Sequence, residues 1–260
     1  MEIQIKKAIR AGNSSAVLLP RAWLNQEVRV ELIKKTPEKI LQEVLEILVK
    51  QISLNEIIGI YLVGSYARGE ESNESDIDAL VITNDIDKEM IQEGAYNILI
   101  ASYQLINQKL SGDLLPIGQM IKEAKPLLNS NYLKTLNVEV TKKNVKWYLD
   151  TTKEKIKMIN EYLEKIKKQG KNKISDRIAY TLVLRIRTLE IIKKLSENKI
   201  YSKKEFVELI EKISGSKNAY EGYCNAKNDL KDKSVSSIKE AEKLKDYLEK
   251  SLVGVKKRVK

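Results

Sequence analysis

Histidine is absent from all 260 residues. That absence removes every His-based catalytic triad, every imidazole general base and every His-containing metal site. A single cysteine, Cys224, leaves no internal disulfide to form, so an oxidising compartment is not needed. No apolar run approaches the ~20 residues required to span a bilayer. The N-terminus alternates charge with Ile, where a signal peptide would carry an apolar core. The expectation is a soluble, cytoplasmic chain with no membrane partner.

What is present supports folding. Apolar residues make up 42% of the chain, enough for real cores in one large domain or two to three small ones. The net charge of +11 is unevenly spread. Residues 1–36 carry net +4, residues 37–140 net −8 and residues 141–260 net +15. An acidic middle between two basic ends predicts three modules with those boundaries. The basic modules suit a polyanionic partner, DNA or RNA, although Lys-rich helices are equally accounted for by solvation.

The first module reads as strands. Ile3, Ile5 and Ile9 alternate with charged neighbours, and Val28, Val30 and Leu32 alternate again, the period of half-buried strands. Gly12-Asn13 marks a turn, and Pro20 ends the apolar run that follows. So short a module cannot bury a stable core alone and must dock elsewhere or pair with a copy of itself. The stretch KKAIRAGNSSAVLLPRAWL, followed by RVEL, resembles the swapped-hairpin domain of the AbrB/SpoVT group. The resemblance implies a homodimer through interdigitated hairpins, and in many members DNA binding. Lys6, Lys7, Arg10, Asn13, Ser15 and Arg21 are then the candidate phosphate and base contacts.

The middle module carries the chemistry. Ile40, Leu41, Val44, Leu45, Leu48 and Val49 recur at helical spacing, predicting an amphipathic helix from Pro37 to about Gln51. Ile57 to Val63 is an apolar run of buried-strand length, ending in Gly64-Ser65. A polar stretch follows, and a second strand begins at Asp76-Ile77-Asp78. Two carboxylates two apart on a strand project from one face. They repel unless a cation lies between them. Hard oxygen ligands of this kind suit Mg²⁺, which completes its shell with water and substrate phosphates. Gly64-Ser65, at a strand end opening into a helix, offers N–H groups and a hydroxyl to a phosphate. Arg68, one helical turn later, can reach the same anion with a planar fork. A phosphate cradle with a metal-binding carboxylate pair is the minimum set for metal-assisted nucleotidyl transfer.

Written as a motif, Gly64-Ser65-x-Ala67-Arg68-Gly69-x5-Ser75-Asp76-x-Asp78 closely resembles the signature of the minimal nucleotidyltransferases of the DNA polymerase beta superfamily. The resemblance covers about residues 37–140. It implies that Asp76 and Asp78 ligate two Mg²⁺ ions and that Gly64 and Ser65 hold the β- and γ-phosphates of a nucleoside triphosphate, ATP first among them. Arg68 and Ser75 fall among the nucleotide contacts. Active members usually add a third carboxylate on a later strand. Ile86 to Leu110 reads as a helix, and Asp113 to Met120 as the next strand, so Asp113 is the candidate for that place; Glu123 and Glu139 stand in reserve. A Ser-Gly-Asp turn is also an ordinary helix-to-strand connector. If none of these serves, catalysis is in doubt although nucleotide binding can survive.

The third module reads as five helices. One apolar stripe runs from Val145 to Ile166 and stops at Gly170; Ser175 caps a second helix through Ile192. Three more cover Phe206 to Ile213, Ala219 to Leu230 and Val235 to Leu252, with a frayed basic tail at residues 256–260. Such stripes mean bundle core. This part weakly resembles the HEPN domain, a common partner of the minimal nucleotidyltransferases. Ribonuclease members carry Arg-x4-His, whereas here Glu190 stands five positions after Arg185, so RNA cleavage by that route is not expected. Tyr180, Arg185 and Arg187 are candidate cleft residues, though packing explains them equally well.

The fold class expected is α+β: a β-hairpin module, a mixed-sheet nucleotidyltransferase domain and an all-α bundle. The expected activity is transfer of a nucleoside monophosphate from a triphosphate to an acceptor hydroxyl of protein, RNA or small molecule, releasing pyrophosphate. The alternative is a DNA-binding regulator or antitoxin-like protein whose degenerate transferase domain only senses nucleotide.

Overall fold

The computed structural model describes residues 4, 6, 8–12, 14–30, 35–73 and 75–259. The chain divides into two compact units, residues 1–36 and 37–260. In the first, β1 (Ile9–Ala11) pairs antiparallel with β2 (Ser14–Ala16), Ile9 facing Ala16, and Gly12 takes φ +62° in the turn. A 3-10 turn at Arg21–Trp23 follows Pro20. Leu18, Leu24 and Val30 are 69–72% exposed. The expected second strand is not formed at Val28 and Val30, because strand pairing needs a neighbour and this short unit presents none to them among the described residues. Ile3, Ile5 and Leu32 lie outside the described residues.

In the second unit α1 (Pro37–Leu48) buries Ile40, Val44, Ile47 and Leu48 along one side. The central sheet comprises β3 (Ile57–Val63), β4 (Ile77–Thr83), β5 (Lys88–Glu93), β6 (Tyr96–Ser102) and β7 (Lys125–Leu128), in the order β5-β6-β4-β3-β7. Only the β4–β6 pair is parallel. Alternate residues serve two cores. Ile60, Leu62, Ala79, Val81, Ile98 and Ile100 pack on α1. Tyr61, Val63, Leu80 and Ile82 face α3 (Tyr103–Gly112) and α4 (Ile117–Glu123) through Ile106, Ile117 and Ile121. Burial on both faces explains why β3 and β4 read as unbroken apolar runs.

Two further expectations are corrected. Residues 88–102 form a hairpin, not part of a helix over Ile86 to Leu110. Glu93 pairs directly with Tyr96 across a two-residue Gly94-Ala95 loop, with Gly94 at φ +61°. A Gly at the first loop position is the chemistry of a two-residue hairpin. Ile91, Ile98 and Leu99 mimic helical spacing only because the exposed edge strand β5 carries little apolar alternation. Residues 117–120 belong to helix α4, not to a strand. Ile117 and Ile121 bury one side of it at a four-residue spacing, and Pro116 stands just ahead of it, where its missing N–H leaves no helical bond unmade.

Five helices follow the short α5 (Ser130–Thr135): α6 (Lys142–Lys168), α7 (Asp176–Ser196), α8 (Lys203–Ser214), α9 (Asn218–Lys227) and α10 (Ile238–Arg258). Thr141 with Asn144, and Ser237 with Glu240, form capping boxes on α6 and α10. α7 is central, with Ile178, Leu182, Val183, Ile186, Leu189 and Ile192 all buried. The basic tail is not frayed as expected: α10 continues to Arg258, which pairs with Glu197, and Val259 is buried. The bundle core reaches back into the preceding segment, for Leu114 is fully buried within it. Leu114 donates its N–H to the Asn144 carbonyl at 3.0 Å, and Asn144 Nδ2 donates to the Leu110 carbonyl at 2.7 Å.

Candidate active site

The site forms where β3 ends. Val63 is extended, and the chain then turns at Gly64 (φ +70°) into the single-turn helix α2 (Gly64–Arg68), which closes at Gly69 (φ +70°). Gly64 is required twice over. Its backbone lies in the left-handed region, and a Cβ there would come within 2.1 Å of Asp78 Oδ2. Ala67 is buried beneath α2, Tyr66 packs against the core under α1, and Ser65 is half-buried.

Antiparallel register sets Asp78 opposite Val63. Asp76 is exposed, Ile77 is buried inward and Asp78 is half-buried, as the period of a strand demands. Burial raises the Asp78 carboxyl above its ordinary range; a hydrogen bond from Asn97 opposes the shift and the nearby Asp76 charge adds to it. Ser75 lies in a tight turn, where its Oγ accepts the Ser72 N–H at 2.9 Å.

Arg68 is a clasp. Its Nε donates to Glu70 Oε2 at 2.9 Å and its Nη1 to Glu123 Oε2 at 2.7 Å. Burial alone would lower the guanidinium's proton affinity, but its bonds to the Glu70 and Glu123 carboxylates raise it. Glu70 also accepts Ser202 Oγ at 2.5 Å and the Lys203 N–H at 3.1 Å, at the N-terminus of α8. Burial pushes its carboxyl up, yet these partners with Arg68 carry it down to about 2. Glu123, on α4, accepts the Gly64 N–H through Oε1 at 2.8 Å.

The fold thus gathers Gly64, Ser65, Arg68, Asp76 and Asp78 about one strand end. Asp113 is placed otherwise. It ends α3, with its carboxylate taken by Lys109 Nζ at 2.7 Å and by the Tyr148 hydroxyl. Glu139 is exposed in the loop ahead of α6. Among the described residues no third acidic side chain joins Asp76 and Asp78 in a group able to hold a metal. The residue missed by sequence reasoning is Asn97. It stands opposite Asp78 on the parallel strand β6 and donates Nδ2 to Asp78 Oδ1 at 3.3 Å. Its segment read as helix, which hid the pairing. The donor set of two carboxylates on one strand face fits a divalent cation with oxygen preference; two ions would have to share that pair.

The bundle candidates have local partners. Tyr180 stacks on Tyr223, Arg185 lies over the exposed Trp147 ring, and Arg187 lies over Tyr201.

The strand β3 thus ends in a Gly-Ser turn that closes against the Asp-x-Asp pair at the start of its antiparallel neighbour β4. The chain belongs to the nucleotidyltransferase domain family, whose sequence profile matches residues 41–209. Nucleotidyl transfer is the general activity of that family. Among solved structures the chain is similar to a nucleotidyltransferase-like protein from Exiguobacterium sibiricum 255-15, at 14% identity over 83% of this chain and 75% of that one, with a TM-score of 0.38. No curated protein matches the chain.

Two outcomes follow. Replacing Gly64 with Ala forces a side chain into the Asp78 carboxylate and strains the turn; urea unfolding is expected to show a loss of about 1–3 kcal/mol. For Glu70, a folded value of about 2 against an ordinary 4.5 means its stabilisation is complete above pH 4.5 and lost as pH falls through about 2. Glu70→Gln is thus expected to be less stable than the parent at neutral pH, and chemical unfolding across the acid range should show that gap closing towards pH 2.

Proposed function

We propose that this chain transfers a nucleoside monophosphate from a nucleoside triphosphate, ATP in the first instance, to an acceptor hydroxyl in a Mg²⁺-dependent reaction. The acceptor hydroxyl oxygen attacks the α-phosphorus and releases its proton to solvent, the bond to the α,β-bridging oxygen breaks, and pyrophosphate leaves with that bond's electron pair. Gly64 and Ser65 receive the β- and γ-phosphates at the strand end, and Ser75 and Arg68 border them. Asp76 and Asp78 hold the metal, which supplies charge neutralisation to the phosphates. The observation that carries this reading is the contact of Gly64 with Asp78, because it puts phosphate donors and metal-binding carboxylates side by side. Calorimetry with ATP tests it without knowledge of the acceptor. Binding is expected to require Mg²⁺ and to weaken at least about tenfold in Asp76→Asn/Asp78→Asn; unchanged binding in the folded double variant contradicts the reading.

A second reading has its own support. Asn97 stands where a carboxylate would face Asp78, which suits a domain that senses nucleotide without turning it over. The hairpin unit exposes Ile9, Leu18, Leu24 and Val30, more apolar surface than so small a unit keeps in water. A second copy of the AbrB-like hairpin covers them, and the resulting dimer presents Lys6, Arg10, Ser15 and Arg21 to DNA; Lys7 and Asn13 lie outside the described residues. A gel shift on duplex DNA, weakened by salt and abolished by Arg10→Ala/Arg21→Ala but not by Asp76→Asn, is the expected result; no shift at low salt removes DNA from the account.

A further inference from the structure

The two donors assigned above to the triphosphate end of the site, the Gly64 N–H and the Arg68 guanidinium, are both held by one carboxylate of the chain. Glu123 takes the first through Oε1 at 2.8 Å and the second through Oε2 at 2.7 Å, and its side chain is only 3% exposed. To these donors a carboxylate offers what a phosphate offers: two anionic oxygens accepting charge-assisted bonds. We propose that Glu123 is a specificity-determining residue that competes with the incoming phosphates for the Gly64 N–H and Arg68. The inference rests on the triphosphate reading of the site.

The surroundings fit an exchange of partners. Glu70 pins Arg68 Nε and is itself fixed by Ser202 and Lys203, so the guanidinium stays in place while Nη1 changes its acceptor. Gln119 Nε2, one turn back on α4, already reaches Glu123 Oε2 at 3.3 Å and gives the displaced carboxylate a donor that the nucleotide does not need. Repulsion between Glu123 and a second anion at the same donors means that only one of the two holds them at a time. A triphosphate displaces Glu123; a nucleoside monophosphate, without β- and γ-phosphates, does not. Glu123 therefore lowers the affinity of ligands that use these two donors and leaves that of the others unchanged.

The test is calorimetry with Mg²⁺-ATP and Mg²⁺-AMP on the parent protein and on Glu123→Gln, each verified as folded by its melting curve. Glu123→Gln is expected to bind ATP about tenfold tighter and AMP as the parent does, so that the preference for ATP over AMP widens. An ATP Kd in the variant equal to or above the parent's, or an equal gain in affinity for AMP, overturns the competition while leaving the site standing. Absence of ATP binding in both folded proteins overturns the site and the competition together. Should the variant fail to fold, carboxylate ¹³C resonances in the parent decide the matter: the Glu123 signal is expected to move on saturation with Mg²⁺-ATP, and a fixed signal overturns the proposal.

Discussion

At the junction of β3 and α2 the backbone of Gly64 lies so close to Asp78 that no side chain can stand between them. Much of the site descends from this approach. It needs the antiparallel β3–β4 register that sets Val63 against Asp78, and that register in turn is fixed by apolar side chains on both faces of the two strands. A slip of one residue would turn Asp76 and Asp78 into the core and Ile77 out of it. The hydrophobic pattern that stabilises the sheet is therefore the same pattern that aims the carboxylates.

Around this contact the charges are organised by sharing. Arg68 is divided between Glu70 and Glu123, and each of those carboxylates has a further task. Glu70 satisfies donors at the start of α8, and Glu123 satisfies the Gly64 N–H. A buried guanidinium with one carboxylate would be a local pair. With two, it becomes a link between the Gly64 turn, helix α4 and the start of α8. Breaking such a link leaves a charge unpaired away from water, which costs more than the pair itself contributes.

How far the sequence revealed this depended on the kind of signal each part carried. β3, α2 and β4 were legible because composition and turn chemistry agreed: an apolar run, Gly-Ser, then Asp-x-Asp. The bundle helices were legible from their stripes and caps. The β5–β6 hairpin was not, since its edge strand is mostly exposed and its few apolar residues fall by coincidence at helical spacing; only the Gly94 turn betrayed it. Losing β6 hid Asn97, whose importance lies in a cross-strand neighbour that no local pattern records. Asp113 drew attention by its place after a Ser-Gly pair. Its partners, Lys109 and Tyr148, come from one turn earlier and from a distant helix, and the second of these was beyond local reasoning. Glu123 was singled out as a carboxylate, but its role as an acceptor for Gly64 and Arg68 required the packing of α4.

The burial of Leu114 in the bundle core and the exchange of bonds between Leu110, Leu114 and Asn144 bear on how such a chain can diverge. The helical part cannot be traded for another bundle as a free-standing cassette, because a recombination junction near residue 140 would separate Leu114 from the pocket that receives it. The same exchange would take Ser202 and Lys203 from Glu70. Successful shuffling would have to carry both seams together, so the catalytic segment and its helices are expected to drift as one inherited block.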